Sequence, residues 1–139
     1  MSTNLPASFE KLRIWQEAHQ LMIICHGLAN KLPFNERSDA DQINRSSASV
    51  PANIAESQGT YYFNDKLKAL YVARKEATET QSHLKKIQSG GNLSTSECDS
   101  LISRYQGLII GINKFAHKVI EQRDKYQNSA HSAKSSQSA

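Results

Sequence analysis

No apolar run in this chain approaches the roughly 20 residues that a bilayer span requires; LMIIC at 21–25 is typical of the longest. The opening MSTNLPASFEKL has no basic region leading into an apolar one, so it does not read as a secretory signal, and a cytoplasmic location is expected. Cysteine is scarce: Cys25 and Cys98 have no metal-ligand spacing, which suits a reducing compartment. Cys25 falls on an apolar stripe and reads as core. Glycine-rich phosphate loops and serine elbows are missing as well.

The remaining chemistry-bearing residues do not assemble into an active site. His19, His26, His83 and His117 fall on helical stretches without a carboxylate or thiol at ligand spacing. Glu76 and Glu79 are three apart, as in di-iron bundles, yet the companion Glu-x-x-His motif is absent. The sequence therefore reads as non-enzymatic, with no cofactor and no metal.

What is present suits one helical domain. The 139 residues are 38% hydrophobic and 22% charged, enough for a single economical core. Ile14, Ala18, Leu21, Cys25, Leu28 and Leu32 step by four and three, which winds one apolar seam along a first helix that Pro33 stops. Ser38 can cap a second helix, with Asp39 and Asp41 in its first turn, and this helix runs to about Ser57. After Gly59, a long third helix carries Phe63, Leu67, Leu70, Ala77, Leu84 and Ile87 until Gly90 and Gly91. Ser94 and Glu97 have capping-box spacing, flanked by Leu93 and Cys98 as a staple, and open a fourth helix. Its seam is Leu101, Tyr105, Leu108, Ile112, Phe115 and Val119.

Each helix has one apolar face, so the faces must be buried against each other. An all-α, up-and-down antiparallel four-helix bundle is the simplest solution. The expected organisation is an N-terminal extension at 1–8, the bundle at 9–126, and a Ser/Ala-rich tail at 127–139 with no large apolar residue, expected to be disordered.

The second helix contains a proline at Pro51. Gln42, Arg45, Ser49, Asn53 and Glu56 are spaced three, four, four and three, which makes one polar stripe beside it. Pro51 removes the amide that would bond the Ser47 carbonyl, at a cost of roughly 3 kcal/mol, and kinks a regular helix. Ser47, Ser49 and Asn53 are placed to satisfy freed backbone groups. Ala48, Ala52 and Ala55 permit close approach by a neighbour. The stripe thus has an architectural explanation, in which Arg45 and Glu56 tie the helix to a partner.

Charge is uneven. Residues 1–60 hold five Lys/Arg and six Asp/Glu, a net −1, whereas 61–139 hold twelve and seven, a net +5. That excess suits an anionic partner or simply a solvated lysine face.

The order Q-I-x-R-x-x-x-S-V-P-A-N-I-A-E at 42–56, preceded by IWQEAH at 14–19 and P-x-x-E at 33–36, resembles the bacterial four-helix bundle proteins encoded in intervening sequences of large-subunit ribosomal RNA. Accessory variability proteins of diversity-generating retroelements are their relatives. The resemblance covers about residues 9–122 and extends to Leu70, Ala73 and Glu79. Ser57, Asp39 and Ser46 depart from it, standing where glycine, leucine and alanine are usual.

The resemblance implies an up-and-down bundle without enzymatic activity that assembles as a homopentamer. In the retroelement relatives it implies a positively charged ring that binds RNA or DNA and the reverse transcriptase. Residues suited to that contact are Lys66, Lys68, Arg74, Lys75, Lys85 and Lys86 on helix three, and Arg104, Lys114, Lys118 and Arg123 on helix four. Tyr61, Tyr62 and Tyr71 can stack on bases or pack between subunits. The alternative is a structural or protein-interaction scaffold with no nucleic-acid role.

Overall fold

The amphipathic segments fold as four α-helices. The computed structural model describes residues 4–137, with side chains as far as residue 133. After a short 3-10 turn at Ser8–Lys11 come α1 (Arg13–Ala29), a second 3-10 turn (Phe34–Glu36), α2 (Arg37–Gly59), α3 (Phe63–Ser89) and α4 (Thr95–Gln137). No strand occurs among the described residues. Short connections turn each helix back against its predecessor, and α1 meets α4 to close the bundle.

Most of the expected seam positions are the core, with Ile14, Leu32, Phe63 and Phe115 packed partly buried against it. Leu21, Ile43, Ile54, Leu70, Leu84 and Ile112 are wholly buried, each worth about 1.5–3 kcal/mol relative to exposure. Cys25 lies among them, as its place in the α1 stripe requires. No described helix is long and apolar enough to cross a membrane.

The helix ends are partly as expected. The Glu97 amide donates to Ser94 Oγ at 3.4 Å, and Leu93 and Cys98 are both buried beneath this start. Gly91 takes a positive φ of 79° in the turn between α3 and α4, a conformation that costs a side-chain-bearing residue about 1–2 kcal/mol. Ser38, by contrast, is not a cap: α2 starts at Arg37, and the preceding Glu36 makes no side-chain cap bond. Glu36 is committed elsewhere, accepting a 2.7 Å hydrogen bond from Asn92 Nδ2. The carboxylate of the P-x-x-E motif therefore reaches across to the α3–α4 turn.

Around Pro51 the helix runs on as expected, but its side-chain bonds differ from expectation. α2 is continuous across Pro51, which is buried together with Ile43, Ser46, Ser47, Val50, Ile54 and Ser57. The stripe's side chains bond carbonyls other than that of Ser47. Ser47 Oγ donates to the Asn44 carbonyl at 3.3 Å, and Asn53 Nδ2 donates to the Ser49 carbonyl at 2.8 Å and to Ser49 Oγ at 3.0 Å. Gln42, Arg45 and Glu56 are exposed and make no hydrogen bond or ion pair with the described residues; Arg45 acts on α3 only through its charge near Glu76. Ala52 is exposed, and Ala48 and Ala55 are half-buried, so the alanine face is not wedged against another helix of this chain.

Buried hydroxyls hold the centre instead. The Thr80 hydroxyl on α3 donates to Ser46 Oγ on α2 at 2.8 Å, and lies 2.9 Å from the Glu76 carbonyl. Tyr105 of α4 lies 3.6 Å from Cys25 Sγ of α1, with its hydroxyl close to Thr80. One polar chain thus crosses all four helices inside the apolar core.

α4 corrects the tail expectation. Its 43 residues span about 65 Å, far beyond the 17 residues of α1. Residues 127–137, expected as disordered, are helix; positions 138–139 lie outside the described residues. From 124 to 133 every side chain is exposed, so local backbone bonding sustains this extension.

Candidate nucleic-acid interface

On α3, Asn64, Lys68, Tyr71 and Lys75 are spaced four, three and four, so they share a face one step away from the apolar seam. With Leu67 and Val72 of α3 and Ile120 and Arg123 of α4, they line a groove of about 490 Å³ between the two helices. A second groove of about 440 Å³ continues it past the start of α3, sharing Asn64 and Arg123 and adding Tyr62, Phe63, Asp65, Tyr126 and Gln127. Two lysines and an arginine therefore sit among tyrosine rings along one continuous trough.

Neighbouring side chains fix the trough's walls. The Arg74 guanidinium lies 4.8 Å from the Tyr71 ring centroid, in cation–π range, and its Nη1 donates to Asn113 Oδ1 of α4 at 2.8 Å. Arg123 donates to Asn64 Oδ1 at 3.1 Å and pairs with Asp124 at 3.3 Å. Phe63 and Tyr126 rings are 6.0 Å apart, which backs the outer end of the trough with apolar surface.

The ten cations suggested by the sequence separate into groups. Lys68, Lys75 and Arg123 converge on the groove, with Arg74 behind Tyr71. Lys86 pairs with Asp39 of α2 at 2.9 Å, Lys85 with Asp99 at 3.5 Å, and Arg104 with Glu17 of α1 at 2.6 Å. Asp99 is held below the usual carboxylate range by its hydrogen bond from Gln88 and by Lys85. Lys66 donates to the Ser57 carbonyl at 3.1 Å and so caps the end of α2. Lys114 and Lys118 lie on α4 outside the groove's lining.

The carboxylates show a complementary pattern. Glu76 on α3 titrates above its usual range, because burial and the adjacent Glu79 disfavour its charge more than Lys75 and Arg45 favour it. A narrower groove of about 350 Å³ between α2 and α3 is lined by Asn53, Glu56 and Asp65 together with Lys68. The polar stripe of α2 thus borders the basic trough on its acidic side. Among the described residues, no cluster of His, Cys, Asp and Glu could hold a metal ion.

Sequence reasoning missed Asn64, Asn113 and Tyr126. The four-three-four row from Asn64 to Lys75 is a signal that could have found the α3 wall. Nothing local marks Asn113 or Tyr126, because their roles arise only when α4 packs against α3.

Residues 10–114 match the model of the 23S rRNA-intervening sequence protein family, about three-quarters of the chain. The chain belongs to that family. In this family member the α3 wall of the groove lies within the matched span, whereas Ile120, Arg123 and Tyr126 lie beyond it. A crystal structure of a protein of unknown function from the S23 ribosomal protein family of Bacteroides thetaiotaomicron is similar in fold, with 22% sequence identity and a TM-score of 0.68. The similarity covers 74% of this chain and 97% of that one. No curated protein matches the chain.

Proposed function

We propose that this intervening-sequence family protein is a non-enzymatic, homo-oligomeric bundle that holds the phosphate backbone of RNA or cDNA in the α3–α4 groove. It serves as an accessory subunit to a larger nucleic-acid machine such as a reverse transcriptase. The observation that carries this reading is the division of the cations. Lys85, Lys86 and Arg104 are in ion pairs within the bundle, whereas Lys68 and Lys75 line the groove without one among the described residues.

Phosphate contacts need mobile or pre-placed cations and no particular base sequence. Assembly multiplies the effect: the pentamer implied by the family resemblance sets five such grooves around a ring, and their fields sum. The chemistry required is positioning alone, which fits a site built from lysine, arginine, asparagine and tyrosine.

The test is anisotropy of a fluorescent structured RNA titrated with the full chain. Affinity should fall by orders of magnitude between about 50 and 200 mM salt. Salt-independent binding, or none, overturns the reading. Light scattering that gives the 15.5 kDa mass of one chain would overturn the oligomer.

A further inference from the structure

We infer that the α3–α4 groove is built for single-stranded nucleic acid, with bases stacked on Tyr71, Tyr62 and Tyr126 and phosphates on Lys68, Lys75 and Arg123. This rests on the nucleic-acid reading and narrows it to one strand state.

Three tyrosine rings point to a single strand. Tyr62 is 67% exposed, Tyr126 66% and Tyr71 38%, although each is large enough to anchor a core. All three line the same trough. Tyr71 is braced by Arg74, which Asn113 holds in turn, so the ring is a fixed platform with a lysine one turn to either side. Tyr126 rests against Phe63, and Tyr62 meets Tyr61 edge-on at 5.1 Å. Aromatic platforms interleaved with cations are what an unpaired strand binds, because every base offers a π-face and every nucleotide a phosphate.

A duplex offers neither in the required place. Its bases are stacked on one another, so their π-faces are hidden, and an A-form helix is met mostly through its shape, 2′-hydroxyls and phosphates. A trough between helices whose axes are about 8–10 Å apart is also too narrow to seat one. From Asn64 to Lys75 it runs about 16 Å along α3, the length of a few nucleotides. Asp65 at one end and Asp124 beside Arg123 offset part of the positive charge. Lys68 and Lys75 therefore carry most of the attraction, on the two sides of Tyr71.

The experiment compares a short fluorescein-labelled single-stranded RNA with a hairpin duplex of the same sequence. The proteins are the wild-type chain, Tyr71→Ala, Tyr71→Phe, Tyr126→Ala and the double variant Lys68→Ala/Lys75→Ala, each checked by circular dichroism and light scattering. The single strand should bind at least about tenfold more tightly than the duplex. Tyr71→Ala should weaken it by about 5- to 150-fold, the equivalent of one lost stacked base, while Tyr71→Phe retains binding. Equal affinity for both RNAs, or wild-type affinity in Tyr71→Ala and Tyr126→Ala, overturns the inference; if the lysine variant still loses affinity, the nucleic-acid reading survives. Absence of any RNA binding by the wild-type chain overturns both. A drop in oligomer mass in Tyr71→Ala would place the ring between subunits and would also overturn the inference.

Discussion

Thr80 and Ser46 meet at 2.8 Å in the dry centre of the bundle, joining α3 to α2. Both side chains are buried, and the Tyr105 hydroxyl lies close to Thr80. Replacing Thr80 by valine removes a hydroxyl and leaves Ser46 without its donor. The expected loss is about 1–3 kcal/mol in urea unfolding. Combining it with Ser46→Ala should cost less than the sum of the two single changes, since one orphaned group is then removed. Strict additivity would show that the two hydroxyls do not interact.

The same network predicts alkaline sensitivity. Burial pushes the Cys25 thiol up from 9.0 to about 11, and pushes Tyr105 upward as well, with Cys25 close by adding to the effect. Both groups hold their protons more tightly when folded. Their stabilisation is thus complete below about pH 9; the Cys25 share drains away between about pH 9 and 11, at about 1.4 kcal/mol per pH unit, and the Tyr105 share begins to fall only above about pH 10. Cys25→Ala should flatten this fall in a series of melts, and an unchanged slope would remove Cys25 as its source.

Two glycines should respond in opposite directions. Gly91→Ala, at φ 79°, is expected to lose about 1–2 kcal/mol. Gly107 lies inside α4 with nothing within 4 Å of an added Cβ, so Gly107→Ala should gain about 0.5–1 kcal/mol from helix propensity. Thermal melts of the two variants decide both signs.

Lys66 reads as a helix cap. Its ammonium satisfies the Ser57 carbonyl at the negative end of α2. Lys66→Met should cost about 0.3–1 kcal/mol in stability and leave RNA affinity within a factor of about two. A large affinity loss at unchanged stability would return Lys66 to the interface.

Much of the bundle is legible in the sequence because helical seams are local and periodic: Ala18 to Leu28 and Leu101, Tyr105, Leu108, Ile112 and Val119 are core positions in the folded chain, and Ile14 and Phe115 pack partly buried against them. The Ser94 cap and the Gly91 turn are likewise short-range signals. Long-range commitments are what sequence reading misses. α2 starts at Arg37 without a Ser38 cap, and the carboxylate of Glu36 just ahead of it is engaged by Asn92, 56 residues away. Lys86 and Arg104 look like free cations until Asp39 and Glu17 arrive from other helices. Composition also misleads at the end of α4, where the absence of large apolar residues argues against packing but not against helix.

The division of cations is tested most directly by two matched double variants, Lys68→Ala/Lys75→Ala and Lys86→Ala/Arg104→Ala, in salt titrations of RNA binding. Both sets remove two positive charges. The groove set should weaken binding and flatten the dependence of log affinity on log salt by about 0.7–0.9 for each phosphate that is no longer neutralised, while the ion-paired set stays near wild type. Equal effects from the two sets, or a larger one from the ion-paired set, would contradict the placement of the interface between α3 and α4.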